Sequence, residues 1–393
     1  MTPYEIRQLR EDLGLSQAQM AAKLGTHYRT VGRWELGLYA PSPLGLAQLE
    51  GLRKRTKGNK GMNIDIHAHY VGSAYFDLLD KYGGQLSFEI VTDSHGERAL
   101  KGRSGAPSPT RPYYDVEHRF GEMKAMDVDM QVVSLMAGPV PNVHLWEPEV
   151  GLALSRVNND AYSELAQRHP QRFVGIAAVP LQNVDMAIAE LERIAKLPGI
   201  RGVQMCSNIK GKYLDSEDFW PFYQRVQELD LPILVHPASS VLGMERMNSR
   251  VEAVILGYPM DTSLTIVRIL FSGLLERFPK LRFCFTHGGG VIPYLRGRIE
   301  WRYETAPEMK ASLPHPPSKY LERMSFCSAI YDDGALSYLI RRQGADRVMM
   351  GSDYPASLGV PQPVEQIQRL ADVSSQDKKK VLGETAASFF KIL

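Results

Sequence analysis

The sequence predicts an α/β protein, a TIM-like (β/α)8 barrel with a small all-α helix-turn-helix domain in front of it. Three observations carry that prediction. From Met62 onward short apolar runs alternate with amphipathic stretches, the pattern of a parallel sheet wrapped by helices. Histidines and an aspartate fall at the ends of several of those runs. Residues 1–53 instead read as short helices, two of them separated by a tight Gly25-Thr26 turn. A chain of 393 residues holds one enzyme-sized domain and a small one.

Composition narrows the class. A formal net charge of +2 excludes a polyelectrolyte built as a whole for nucleic acid. The 3 cysteines, Cys206, Cys284 and Cys327, form no Cys-x-x-Cys pair. That argues for a reducing compartment and against a thiolate zinc site or a disulfide framework. The start, "MTPYEIRQLREDLG", is charged within a few residues and lacks the apolar core of a signal peptide. No uninterrupted apolar stretch reads as membrane-spanning. A soluble cytoplasmic protein is expected.

In the front domain, "PYEIRQLREDLGL" has apolar residues at helical spacing, and "SQAQMAAKLG" opens on Ser16 as N-cap and stops at Gly25. "THYRTVGRWELG" follows and ends at Gly37, and "PSPLGLAQLEGLRKR" supplies a further helix. The stretch "LSQAQMAAKLGTHYRTVGRWELGLYAPS" resembles the phage-repressor-like, Cro/C1-type helix-turn-helix family. The resemblance implies a recognition helix from Thr26 to Trp34, with His27, Tyr28, Arg29 and Arg33 toward the major groove and its phosphates, and a dimer on two half-sites. A helical cap or dimerisation module that does not touch DNA fits the same residues. The basic "RKRTKGNKG" has the composition of a linker, placed at 54–61, and the barrel domain takes 62–393. A natural fusion, an engineered fusion and a misassigned start codon are all compatible with this boundary.

The eight candidate strands are "MNIDI", "MQVVSL", "FVGIAAV", "RGVQM", "PILV", "LRFCFT", "MSFC" and "RVMM", with helix-like stretches such as "VDMAIAELERIAKL" and "FWPFYQRVQELD" between them. His67 and His69 close the first run, His236 follows the fifth, His287 the sixth and Asp353 the eighth. In a barrel these ends converge on one face. Alternation puts residues two apart on the same side of a strand, so one strand offers both imidazoles to a single ion. Imidazole with carboxylate suits Zn2+, and also Mn2+, Fe2+ or Co2+ depending on geometry. Singly, each of these residues is equally at home as a hydrogen-bonded histidine, a tight turn or a helix cap; their joint order argues for a metal.

"MNIDIHAHY", "EMKAMDVDMQVVS", "HPQRFVGIAAVPLQ", "PILVHP", "FSGLLERFPKLRFCFTHGGGVIPYLRGRIE" and "GADRVMMGSDYPASLG" together resemble the amidohydrolase superfamily. Within it they are similar to the metal-dependent decarboxylases related to aminocarboxymuconate-semialdehyde decarboxylase. The resemblance covers essentially all of 62–393. It implies that His67, His69, His236 and Asp353 ligate one divalent metal. It also implies that His287 acts as general acid/base, with Asp353 sharing proton transfer. The fourth strand ends "RGVQMCSN", without the bridging lysine of binuclear members, and Lys210 and Lys212 stand in the wrong place, so one metal is expected. Substrate carboxylate recognition would fall to Arg111 and, from a neighbouring subunit of a homodimer, to Arg298, though either, and Arg111 above all, also fits a surface ion-pair residue. Ala238, Ala356 and Val254 stand where the family's decarboxylase of aminocarboxymuconate semialdehyde has larger aromatics, with Tyr258 placed to refill the space.

The implied activity is non-oxidative decarboxylation of a small unsaturated or aromatic carboxylic acid, such as aminocarboxymuconate semialdehyde or a hydroxylated aromatic or pyridine carboxylate. The alternatives are a metal-dependent hydrolase or hydratase of the same superfamily, and a metabolite-sensing transcriptional regulator whose barrel is the sensor.

Overall fold

The structure, a computed structural model, describes the chain apart from residues 14, 58–60, 83–88, 95, 102–107, 136–141, 238–240 and 393. It divides into two compact units, Met1–Gly61 and Met62–Leu393.

The first unit contains α1 (Pro3–Asp12), α2 (Gln17–Lys23), α3 (Tyr28–Glu35) and α4 (Pro43–Lys57). Ser16 starts α2 as expected: its Oγ accepts from Gln19 N, and the Gln19 side chain accepts from Ser16 N, a reciprocal capping box. Ile6, Leu9, Met20, Leu24, Val31, Trp34 and Leu49 form the unit's own core. Arg10 and Glu35, 2.6 Å apart, tie α1 to the end of α3. Two expectations need correction. The recognition helix begins at Tyr28 rather than Thr26, because His27 turns its Nδ1 onto the Arg29 amide at 3.2 Å and serves as N-cap. The expected linker 54–61 is helical as far as Lys57, since residues 52–57 include no glycine or proline to stop α4.

The second unit is the barrel. Its strands are β1 (Ile64–His69), β2 (Met130–Ser134), β3 (Phe173–Ala178), β4 (Ile200–Cys206), β5 (Ile233–His236), β6 (Phe283–Phe285), β7 (Ser325–Cys327) and β8 (Val348–Met349). They pair in that order, every pair parallel. The chain after β8 returns to β1 through Ile66 N to Met350 O, Asp353 N to His67 O and His69 N to Tyr354 O, at 2.7–2.9 Å, which nearly closes the barrel. The larger core cluster joins strand residues such as Val133, Phe173 and Val203 to helix residues such as Leu191, Phe222 and Leu270. A second draws on Ile64, Val132, Ile176, Leu234 and Cys284, with Phe389 and Phe390 from the C-terminal segment.

Sequence patterning does not show two features. A small antiparallel sheet of Glu89–Thr92, Arg98–Lys101 and Ser108–Pro109 is inserted after β1. Residues Ala253–Gly257 form a π-helical turn that runs directly into the helix Tyr258–Phe271. The combined stretch Ala253–Phe271, 19 residues with mean hydropathy 1.4, is by length and composition apolar enough to cross a membrane, although Asp261 and Arg268 interrupt its apolar run. In the fold it is a barrel helix. Ile266, Ile269 and Leu270 are buried, and the buried Asp261 accepts hydrogen bonds from Asn208 Nδ2, Tyr213 Oη and Leu242 N.

Candidate active site

The barrel brings four histidines from three strand ends around one carboxylate, Asp353, which follows the eighth strand. Asp353 Oδ1 lies 2.9 Å from His69 Nε2 and 3.1 Å from His67 Nε2, and Asp353 Oδ2 lies 3.5 Å from His287 Nε2. The His236 ring is 5.1 Å from that of His67 and 5.2 Å from that of His69. Strand alternation accounts for the first pair, since His67 and His69 leave β1 with ring centroids 5.1 Å apart. His236 ends β5, and backbone strain marks the remaining two. His287 and Asp353 both have left-handed φ, 51° and 64°, a conformation non-glycine residues rarely adopt and one that collects at functional sites.

Burial sets the charge states. It pushes the His67 imidazole down to about 4 and holds His236 well below its usual 6.5. Burial alone would raise Asp353, but the charge of His67 and hydrogen bonds from His287 and His69 outweigh it and hold the carboxyl well below 3.8. At neutral pH His67 and His236 are therefore neutral imidazoles beside an ionised Asp353 carboxylate. His236 Nδ1 donates to Pro237 O at 3.1 Å, which leaves Nε2 as the free nitrogen. His67 Nε2 is buried without a hydrogen-bond partner. An orphaned imidazole nitrogen within a His/Asp donor set fits a divalent cation.

Ligand atoms of His67, His236, His287 and Asp353 all lie within 4.8 Å of one another. This geometric group and the ligand set implied by resemblance differ by one residue, His287 for His69. Exposure separates the two: the His69 side chain is wholly buried, whereas His287 is partly exposed and lines the adjoining cavity with His236 and Asp353.

That cavity has a volume of about 1040 Å³. Val254, Tyr258 and Ala356 line it, as their substitution pattern suggested; Ala238 lies outside the described residues. Neither arginine lines the cavity of its own chain. Arg111 is exposed and paired with Glu97 at 3.0 Å and Asp115 at 2.9 Å, away from the cavity lining, because the insertion supplies it with two local carboxylates. Arg298 sits exposed on the helix Ile292–Thr305, also outside the lining. Lys210 bonds Trp146 O and Lys212 pairs with Asp218, so neither joins the cluster. In the first unit, His27, Tyr28, Arg29 and Arg33 are all exposed.

Sequence reasoning missed the support beneath the histidines. The buried Asp65 accepts from His67 N, from Ser352 N and Oγ, and from Gln131 Nε2. Gln131 in turn accepts from the fully buried Arg119, whose Nη2 donates to His69 O at 2.6 Å. Asp65 was findable, two residues before His67 on the same strand face. Arg119 was not: its helix has no pattern that marks one arginine as interior.

An amidohydrolase family model matches residues 64–392, and a helix-turn-helix model matches residues 6–50. The chain is 30% identical over 333 residues to a 2-amino-3-carboxymuconate-6-semialdehyde decarboxylase of Dictyostelium discoideum, which covers 84% of this chain and 92% of that one. The crystal structure of 5-carboxyvanillate decarboxylase from Sphingomonas paucimobilis is similar at 25% identity, with TM-score 0.72 over 84% of this chain and 99% of that one. A dihydroxybenzoic acid decarboxylase from Polaromonas, solved with bound manganese and the inhibitor 2-nitroresorcinol, shares the fold at 23% identity and TM-score 0.67, over 84% of this chain and 97% of that one.

Proposed function

The chain belongs to the amidohydrolase family, and on that basis we propose that its barrel is a metal-dependent, non-oxidative decarboxylase of a small unsaturated or aromatic carboxylic acid. The observation that carries this reading is the convergence of His67, His69, His236 and His287 on the Asp353 carboxylate. His67, His69, His236 and Asp353 would hold one divalent ion, zinc by preference for this donor set, with manganese, iron(II) or cobalt as the substitutes. When bound, the ion supplies Lewis acidity toward a substrate oxygen. His287, at the cavity wall and 3.5 Å from Asp353 Oδ2, handles the proton, with Asp353 as its partner. The carbon bearing the carboxylate gains a proton. The bond to the carboxyl carbon then breaks, its electron pair restores the unsaturation, and CO2 leaves.

The small unit is the DNA-binding part of this reading, with His27, Tyr28, Arg29 and Arg33 as its contacts, in a cytoplasmic homodimer. Arg298, with no hydrogen bond or ion pair among the described residues, is the residue that would reach a partner's substrate. Arg111 drops out of the substrate site because its ion pairs hold it elsewhere.

The test is metal-analysed enzyme assayed for CO2 release and for incorporation of solvent oxygen, across aromatic, pyridine and muconate acids. CO2 release that a chelator abolishes and a divalent ion restores is the expected result. Solvent oxygen entering the product without CO2 would make the protein a hydratase or hydrolase instead.

A further inference from the structure

The metal-binding cluster occupies only a small part of its cavity. A cavity of about 150 Å³ is enough to hold benzene, whereas this one measures about 1040 Å³, at the upper end of what encloses a drug-sized ligand. Its ionisable lining groups other than tyrosines are His236, His287 and Asp353, and no described lining residue is a lysine or arginine. The remaining wall is aliphatic and aromatic, and it continues to the surface: Ile255 is 62% exposed, Leu358 48% and Tyr338 41%. The π-helical turn Ala253–Gly257 contributes by bringing Val254, Ile255 and Tyr258 to the same wall, and such turns recur at functional sites.

Resting on the decarboxylase reading above, we propose that the substrate is an aromatic monocarboxylic acid bearing an extended apolar substituent. Its carboxylate end meets the His/Asp cluster, and its chain runs along the Val254, Ile255, Tyr258 and Leu358 wall toward the surface. The partner's Arg298 would be taken up by the reacting carboxylate, so a second carboxylate on the substrate would leave water without a described cation to receive it, which is costly. A methylene placed on this wall leaves water for apolar contact, at roughly fourfold in affinity per group (the fold equivalent of about 0.8 kcal/mol).

The full-length, metal-loaded enzyme is assayed for CO2 release from 2-hydroxybenzoates carrying linear alkyl chains of increasing length at ring positions 4, 5 or 6. A muconate dicarboxylate is run beside them, and binding of the corresponding alkylphenols is measured by calorimetry. For at least one ring position kcat/KM should rise by roughly fourfold per methylene over the first several carbons, and the dicarboxylate should be a poor substrate. Ile255→Asp and Leu358→Asp, both changes at exposed positions, should cut the ratio of long-chain to methyl kcat/KM at least about tenfold, the effect of losing two or more buried methylenes. A flat or falling series with the methyl acid best, or preference for the dicarboxylate, overturns the proposal. Alkylphenols that bind with the chain-length trend while no acid releases CO2 would uphold the apolar site and sink the decarboxylase reading instead.

Discussion

Asp353 presents Oδ1 to both His67 and His69 and Oδ2 to His287, so its removal strips the cluster of its one anionic donor. Asp353→Ala and His67→Ala should each lose most bound metal and activity, measured by elemental analysis and CO2 release. His287→Ala should keep its metal and lose turnover. Full metal occupancy in the Asp353 variant would remove it from the ligand set. A second histidine, His144, is buried outside the cluster, beside Cys206 Sγ at 3.4 Å. Burial first, and then the charge of Lys210, lowers it from 6.5 to about 4. Between these values the unfolded chain holds a proton that the folded chain does not. Stability from this group is therefore complete above pH 6.5 and falls away as pH drops toward 4, by at most on the order of 3 kcal/mol. Thermal melts across that range should show a slope that His144→Asn reduces; an unchanged slope would mean that the buried neutral form contributes nothing.

The contact between the barrel's first strand and its last helical segment depends on a single small residue. Gly383 lies in the π-helical turn Lys380–Glu384, and a Cβ there would meet Met62 O at 1.7 Å. That atom is backbone at the entry to β1 and cannot rotate aside. Gly383→Ala should cost about 1–3 kcal/mol or more, read as a lowered melting temperature. A melting curve superimposable on the parent's would show that β1 can shift without penalty. The same β1 carries His67 and His69, so the variant should also weaken metal retention.

Each of the two units has its own buried core, the first around Met20, Val31 and Trp34, the second around the barrel. A polypeptide beginning at Met62 should therefore fold and keep CO2 release. Insolubility under conditions where the full chain stays in solution would place the boundary elsewhere. Assembly has its own test at Arg298. If it serves a partner's site, Arg298→Ala should raise KM strongly without emptying the metal site, and mixing with His287→Ala protein should restore activity through one complete site per heterodimer. Subunits that exchange freely without recovery would confine Arg298 to its own surface.

The eight strands, their order and the four histidines around Asp353 were legible in the sequence, because strand periodicity and strand-end position are local properties. Ser16 as a helix cap was legible for the same reason. Where His27 stops being helix and becomes a cap depended on which way its ring turns, which residue type alone leaves open. The fate of Arg111 was decided by Asp115, four residues on, and by Glu97, brought beside it by an insertion whose strands pair over distances that no short pattern reports. Arg119 and Asp65, linked through Gln131 under the histidines, exist as a network only once β1, β2 and the helix Val116–Ala125 pack together. The volume and apolar character of the cavity are likewise properties of how separate segments enclose space. Chemistry carried by single residues at strand ends could be read from order along the chain. Recognition, which depends on which charges are already paired and which surfaces face one another, required the fold.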